Sequence, residues 1–192
     1  MLPTSGLWPS RNDTSYPSNC NNNAFDPSQI SDLLPEMQVR WPNLLTSSSP
    51  NSFWEHEWDK HGTCAQSDSK LASEHDFFAA TLGLSETYEL GSYLSSAGIV
   101  PSSDKYYTAA QMSSAIQSQI GVQPLIMCTH GDNMLGDDED LAAIALCVDK
   151  DVNLMHCDAN VIAHHSEACY ASDHIYMKPL HGSAQKQPIA NK

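Results

Sequence analysis

Between Phe53 and Cys64 the chain reads Phe-Trp-Glu-His-Glu-Trp-Asp-Lys-His-Gly-Thr-Cys. On a regular α-helix, at about 100° per residue, His56, Lys60, Glu57 and His61 fall at about 0°, 40°, 100° and 140° around the axis, on one face. Two imidazoles, a carboxylate and an ammonium then share a patch suited to acid/base attack on a phosphodiester. One imidazole takes a proton from the nucleophile. Lys60 and the other imidazole hold phosphate oxygens, and Glu57 orients or polarises its neighbours. Trp54 and Trp58 fall beside that patch, turned toward the opposite side where a helix anchors in a core. Gly62 is expected to end the helix and Cys64 to tie it down.

The same residue types also build zinc sites in helices. A helical zinc motif places two histidines four apart so that both meet one ion, whereas His56 and His61 are five apart, about 140° around a regular helix. The spacing argues against a metal, and neither metal nor cofactor is expected. A solvated charged helix face is the bland alternative, disfavoured by the density of chemistry between two tryptophans.

The rest of the chain must position that helix. Asp26-Pro27-Ser28 reads as a helix start, with Ile30, Leu33, Leu34 and Met37 at helical spacing and Pro35 predicting a kink or boundary. Thr46 to Ser52 reads as the loop that delivers the site helix. Leu71, Phe77, Phe78, Leu82, Leu84, Tyr88, Leu90 and Leu94 are spaced as two core-packed helices, broken near Gly83 and closed by Gly98. Val100-Pro101 and a turn to Tyr106-Tyr107 lead into a helix from Thr108 to Ile120, stopped by Gly121. Val122 to Cys128, Leu141 to Val148 and Val152 to Cys157 read as antiparallel strands, and Asp137-Asp138-Glu139-Asp140 as a solvated turn. The six histidines from His130 to His181 read as surface residues, and His181 to Lys192 as a polar tail after one domain over 1–180. Helices first and strands later, without alternating βαβ units, give an α+β domain with helices packed on an antiparallel sheet.

Composition narrows the function. The 192 residues carry 9 Lys and Arg against 23 Asp and Glu, a formal charge of -14. That is the opposite of a protein gripping nucleic acid through a broad basic surface, so an anionic polymer would be held locally. Nine histidines and many carboxylates would soften the repulsion in an acidic compartment. Six cysteines without a Cys-x-x-Cys pair argue for disulfides rather than zinc or thioredoxin chemistry. No transmembrane candidate is present.

The segment Phe53 to Cys64 resembles the second active-site segment of the T2 ribonucleases, F-W-x-H-E-W-x-K-H-G-T-C, and Gly6-Leu7-Trp8-Pro9 resembles the end of the first, I-H-G-L-W-P. Tyr16 to Cys20 and Ile30 to Pro42 also read like plant-type members, and the similarity extends through the later cysteines, covering most of residues 6–176. The resemblance implies the ribonuclease T2-type fold and endonucleolytic cleavage of single-stranded RNA, in which the ribose 2′-hydroxyl attacks its own phosphate to give a 2′,3′-cyclic phosphate. By position it implies that His56, Glu57, Lys60 and His61 are catalytic: His61 transfers the proton, Glu57 and Lys60 stabilise the pentacoordinate phosphate, His56 binds phosphate and Trp8 lines the substrate site. It pairs Cys20 with Cys64, Cys128 with Cys169 and Cys147 with Cys157. A further family bridge near Leu45 and Thr46 is missing, at about 2–5 kcal/mol relative to a member that keeps it.

Ser5 stands where the family places its first catalytic histidine, which implies impaired turnover. The alternative is a non-catalytic RNA-binding or regulatory member of the same fold. The chain reads as N-terminally truncated, and Met1 to Ser5 has neither the basic nor the apolar region of a signal peptide. The resemblance implies a secreted or vacuolar, lysosome-like location, and a monomer whose partner is RNA rather than a membrane. Asn12-Asp13-Thr14 is a glycosylation sequon for a chain that enters the secretory pathway.

Overall fold

The structure, a computed structural model, describes residues 2–11, 15–44, 49–130, 139–158, 168–169 and 174–179. The sequon at Asn12, Leu45 with residues 46–48 of the expected loop, Asp137 and Asp138, His164 and His165, and the tail from His181 lie outside them.

The order of elements is helices first, then strands, in an α+β arrangement. After a 3-10 turn, Pro27–Ile30, come helices α1 (Leu34–Arg40), α2 (Pro50–Glu57) and, beyond a π turn at Trp58–Gly62, α3 (Thr63–Ala65). Pro35 sits in the first turn of α1, where its missing N–H costs nothing, so the expected boundary falls there. Helix α2 begins at Pro50, earlier than expected, because the Ser49 hydroxyl caps it by accepting from the Ser52 N–H.

Helix α4 (Glu74–Thr87) starts in a reciprocal capping box between Ser73 and Asp76 and runs unbroken through Gly83; the break comes at Tyr88, ahead of α5 (Leu90–Ser96). Gly83 is exposed, and intact helix hydrogen bonding around it outweighs its weak propensity of about 1 kcal/mol. Strand β1 (Tyr106–Tyr107) lies where the expected turn leads. Thr108 and Gln111 then form a second capping box for α6 (Ala109–Ile120), which ends on Gly121 at a left-handed φ of 77°.

Strands β2 (Leu125–His130), β3 (Glu139–Ala145), β4 (Cys147–Val148), β5 (Leu154–Met155) and β6 (Ile175–Tyr176) complete the described elements. The main sheet has the order β1-β6-β3-β2 and β4-β5 forms a second ladder. Pairing is antiparallel except between β3 and β6, which run parallel. The expected solvated acidic turn is partly strand: Glu139 and Asp140 open β3, with Glu139 buried and Asp140 2.6 Å from Lys178 Nζ.

Strand β2 is apolar from Leu125 to Cys128, where both faces are covered. Ile126 and Cys128 point into a core with Leu94, Met112, Ile116 and Ile175, while Leu125 and Met127 face Cys157 and Ala168. The helical half has its own core of Ile30, Met37, Trp41, Trp54, Trp58, Phe77 and Phe78. Disulfides join Cys20 to Cys64, Cys128 to Cys169 and Cys147 to Cys157, the pairing the resemblance implies.

Candidate active site

The two tryptophans of the site segment anchor it from below. Trp54 Nε1 donates to the Trp41 carbonyl and Trp58 Nε1 to the Asn23 carbonyl, each at 2.8 Å. An indole buries a large apolar surface only if its N–H finds a partner, and both do. From the side, the Cys20–Cys64 disulfide, the Asn19 N–H to Lys60 carbonyl bond of 3.1 Å and the Cys20 N–H to Thr63 Oγ1 bond of 3.1 Å hold the preceding loop against the helix.

The segment is not the regular α-helix its composition suggests. Trp58–Gly62 is a π turn, with a Thr63 N–H that reaches back to the Trp58 carbonyl. A π turn closes bonds to i+5 and advances less per residue than an α-helix. The angles of a regular helix therefore do not apply across it, and positions five apart turn toward one another. Gly62 does not end the helix. It lies inside the run, where a Cβ would stand 2.3 Å from Trp58 Cε3, so glycine is required there for contact between backbone and indole.

The N-terminal segment lays the remaining groups across this helix. Its path is fixed by the Thr4 N–H to Arg40 carbonyl bond of 2.7 Å and the Trp41 Nε1 to Ser5 carbonyl bond of 3.1 Å. Gly6 then passes so close that a Cβ on it would lie 2.1 Å from Glu57 Oε2. Trp8 donates its indole N–H to Glu57 Oε2 at 2.9 Å and stacks on His61 with ring centroids 5.4 Å apart and an interplanar angle of 24°.

Trp8, Glu57 and His61 thus form one cluster, with the indole 43% exposed while Glu57 and His61 are 3% and 6% exposed. Burial pushes the Glu57 carboxyl up to about 7, against the smaller opposing pull of the Trp8 N–H and the Lys60 charge. Burial also drives the His61 imidazole down to about 4, helped by the positive charges of Lys60 and His56. Among the described residues His61 Nδ1 is buried with no hydrogen-bond partner, so Nε2 is the nitrogen left to exchange protons with a substrate. His56 and Lys60 are exposed on the outer side of the same run. They join the cluster through their charge rather than by contact.

The Ser5 side chain is exposed. Among the described residues, the three ligating groups close enough to share one ion are Cys128, Cys169 and Glu139, but both sulfurs are spent in a disulfide. Of the remaining candidates, Tyr107 is buried with its hydroxyl donating to the Val100 carbonyl, whereas Tyr106 is exposed against His174 at 4.1 Å between ring centroids. His156 is exposed, its Nδ1 accepting from the Gln123 N–H.

Sequence reasoning missed Gly6 as a site residue and Asn23 as the partner of Trp58. The first carries a signal in its place two residues before Trp8. The second has none, because a backbone carbonyl accepts the bond.

The sequence pattern of the Ribonuclease T2 family matches residues 2–157. Among relatives, the chain is 44% identical over 154 residues to "Ribonuclease T2" of Danio rerio, covering 80% of this chain and 61% of that one. It is 42% identical over 146 residues to "Extracellular ribonuclease LE" of Solanum lycopersicum, covering 75% and 61%. The chain therefore spans less than two thirds of the length of either. Among solved structures, human RNase T2 superposes with a TM-score of 0.76 at 32% identity, over 91% of this chain and 83% of that one. RNase NT in complex with 5′-AMP superposes with a TM-score of 0.74 at 32% identity, over 90% and 81%. The helix-then-sheet order, the site segment and these likenesses agree, and the chain belongs to the ribonuclease T2 family.

Proposed function

We propose that this protein is an endoribonuclease of the T2 type, cleaving single-stranded RNA by attack of the ribose 2′-hydroxyl on the adjacent phosphate to give a 2′,3′-cyclic phosphate. The observation that carries the reading is the Trp8–Glu57–His61 cluster, a buried imidazole and a buried carboxyl beneath one indole. The nucleophile belongs to the substrate, so the protein has only to move protons and stabilise charge on phosphate. His61 takes the proton-transfer role. Glu57 and Lys60 face the pentacoordinate phosphate, exposed His56 binds phosphate and Trp8 lines the site. The 5′-AMP bound to RNase NT supports a nucleotide ligand.

Ser5 occupies the place of the family's first catalytic histidine. A hydroxyl does not exchange protons near neutral pH as an imidazole does, and loss of one positioned acid/base group costs on the order of 10²–10⁴-fold in rate. The exposed Ser5 hydroxyl favours a second reading, an RNA-binding member without turnover. Three disulfides support an oxidising compartment for the working protein, secreted or vacuolar in this reading.

The test is cleavage of single-stranded RNA at pH 5 by the purified, oxidised chain with His61→Ala beside it. Cleavage that disappears in the variant establishes the ribonuclease. A folded protein that binds RNA without cutting it establishes the second reading.

A further inference from the structure

The reaction needs two proton transfers, and the geometry restricts which groups can perform each. His61 offers one useful nitrogen. Among the described residues Nδ1 is buried without a partner, so exchange runs through Nε2, and a ring that starts neutral with Nε2 bare takes a proton there and serves as the base. Ser5 offers only a hydroxyl. Glu57 is a carboxyl almost wholly removed from water, and among the described residues no Lys, Arg or His lies within ion-pair distance of it. Its Oε2 accepts the Trp8 N–H, so a proton on this carboxyl sits on Oε1.

We propose, resting on the ribonuclease reading, that Glu57 is the general acid of the reaction and stands in for the imidazole absent at Ser5. His61 Nε2 removes the 2′-hydroxyl proton as that oxygen bonds to phosphorus. The P–O5′ bond breaks, the departing 5′ oxygen takes the proton from Glu57 Oε1, and the carboxylate recovers it from solvent as His61 releases its own. The one indole that touches both groups holds them at a common site.

The titration of the pair is consistent with this division. With Glu57 pushed up to about 7 and His61 down to about 4, both are in the required form between those values. The charged groups bearing on them are Lys60 and His56 from the same helical run. Among the described residues of the N-terminal segment, the uncharged Gly6 and Trp8 are those set against the pair.

A general acid can be told from a group that merely stabilises phosphate by changing the leaving group. The 4-nitrophenolate of uridine 3′-(4-nitrophenyl phosphate) departs without a proton, whereas the 5′ oxygen of RNA does not. Glu57→Gln is expected to slow RNA cleavage by about 10²–10⁴-fold and leave the nitrophenyl ester nearly untouched, while His61→Ala loses both. In the unaltered protein, RNA cleavage should fall as pH rises through 7 while cleavage of the ester does not, which tests the assignment even if the glutamine variant does not fold. Equal loss on both substrates, a shared alkaline limb, or a selective loss in His56→Ala instead would overturn the acid role and leave the ribonuclease intact. An unaltered chain that cleaves neither substrate would overturn the ribonuclease reading and the acid assignment together.

Discussion

The backbone of Gly6 passes so near Glu57 that a single methyl group on its Cα would stand 2.1 Å from the carboxylate oxygen. Gly6→Ala must therefore displace either the carboxyl or the N-terminal segment carrying Trp8. A shift of about 1 Å in a reacting group costs on the order of 10²-fold. RNA cleavage by the alanine variant should fall by that order while its far-ultraviolet circular dichroism stays that of the parent. Unchanged cleavage would remove Glu57 from the reaction.

Trp8 contributes an N–H to Glu57 and a ring face to His61, and the two can be separated. Trp8→Phe keeps a ring and deletes the donor that opposes the rise of the Glu57 pKa, so the carboxyl should titrate above its present value of about 7. The alkaline limb of RNA cleavage should move upward in this variant. In Trp8→Ala both groups gain water, and the His61 ring, followed by nuclear magnetic resonance, should titrate closer to an ordinary imidazole.

The same pair gives the stability a pH dependence with two opposing slopes. The Glu57 pKa is raised on folding, from 4.5 to about 7, so its contribution is present below 4.5 and lost as pH rises through 7. The His61 pKa is depressed from 6.5 to about 4, so its contribution is present above 6.5 and lost as pH falls through 4. Each slope is at most about 1.4 kcal/mol per pH unit, and they oppose one another between 4.5 and 6.5. Glu57→Gln should gain on the parent in urea denaturation as pH rises from 5 to 7. A constant difference across that range would contradict the raised carboxyl.

Gly62 is the tightest point of the helix core, and Gly62→Ala places a methyl 2.3 Å from Trp58 Cε3, with Phe77 Cδ1 3.2 Å away. Overpacking of this kind costs about 1–3 kcal/mol. The midpoint of urea unfolding should drop accordingly. The gain in helix propensity from replacing glycine, about 1 kcal/mol, is too small to reverse the sign.

Removing the Cys20–Cys64 bridge as a double alanine variant should cost about 2–5 kcal/mol in the same assay. Asn19 and Asn23 flank Cys20, and their bonds to Lys60 and Trp58 depend on its position. Cleavage should therefore fall together with stability.

Much of this was legible in the chain. Trp54 and Trp58 declare a buried face by their spacing, Ser73-x-x-Asp76 and Thr108-x-x-Gln111 write out capping boxes, and β2 shows two covered faces in its apolar run from Leu125 to Cys128. What was hidden lay in contacts between distant backbone and side chains. The π turn has no marker in local propensity, because it is set by packing of Trp58 and Gly62 against Phe77 rather than by residue type. Gly83 looked like a breaker because an exposed helical glycine cannot be told from a terminal one without its neighbours. The division of Glu57 and His61 from His56 and Lys60 depends on which are covered, and that follows from where the Gly6 to Trp8 strand lies. The site segment named the groups, but the N-terminal segment decides which of them are dry.

The π turn also acts as a ruler. Trp54 and Trp58 are fastened at one end and Cys64 is fastened to Cys20 at the other, so the residues between them must span a fixed distance with a fixed rotation. Losing one residue there would remove the π turn itself and gaining one would have to widen it, so either change alters the path between the anchored tryptophans and Cys64. A change of length in this stretch is therefore felt at both fastened ends, whereas a substitution is felt where its own side chain lies.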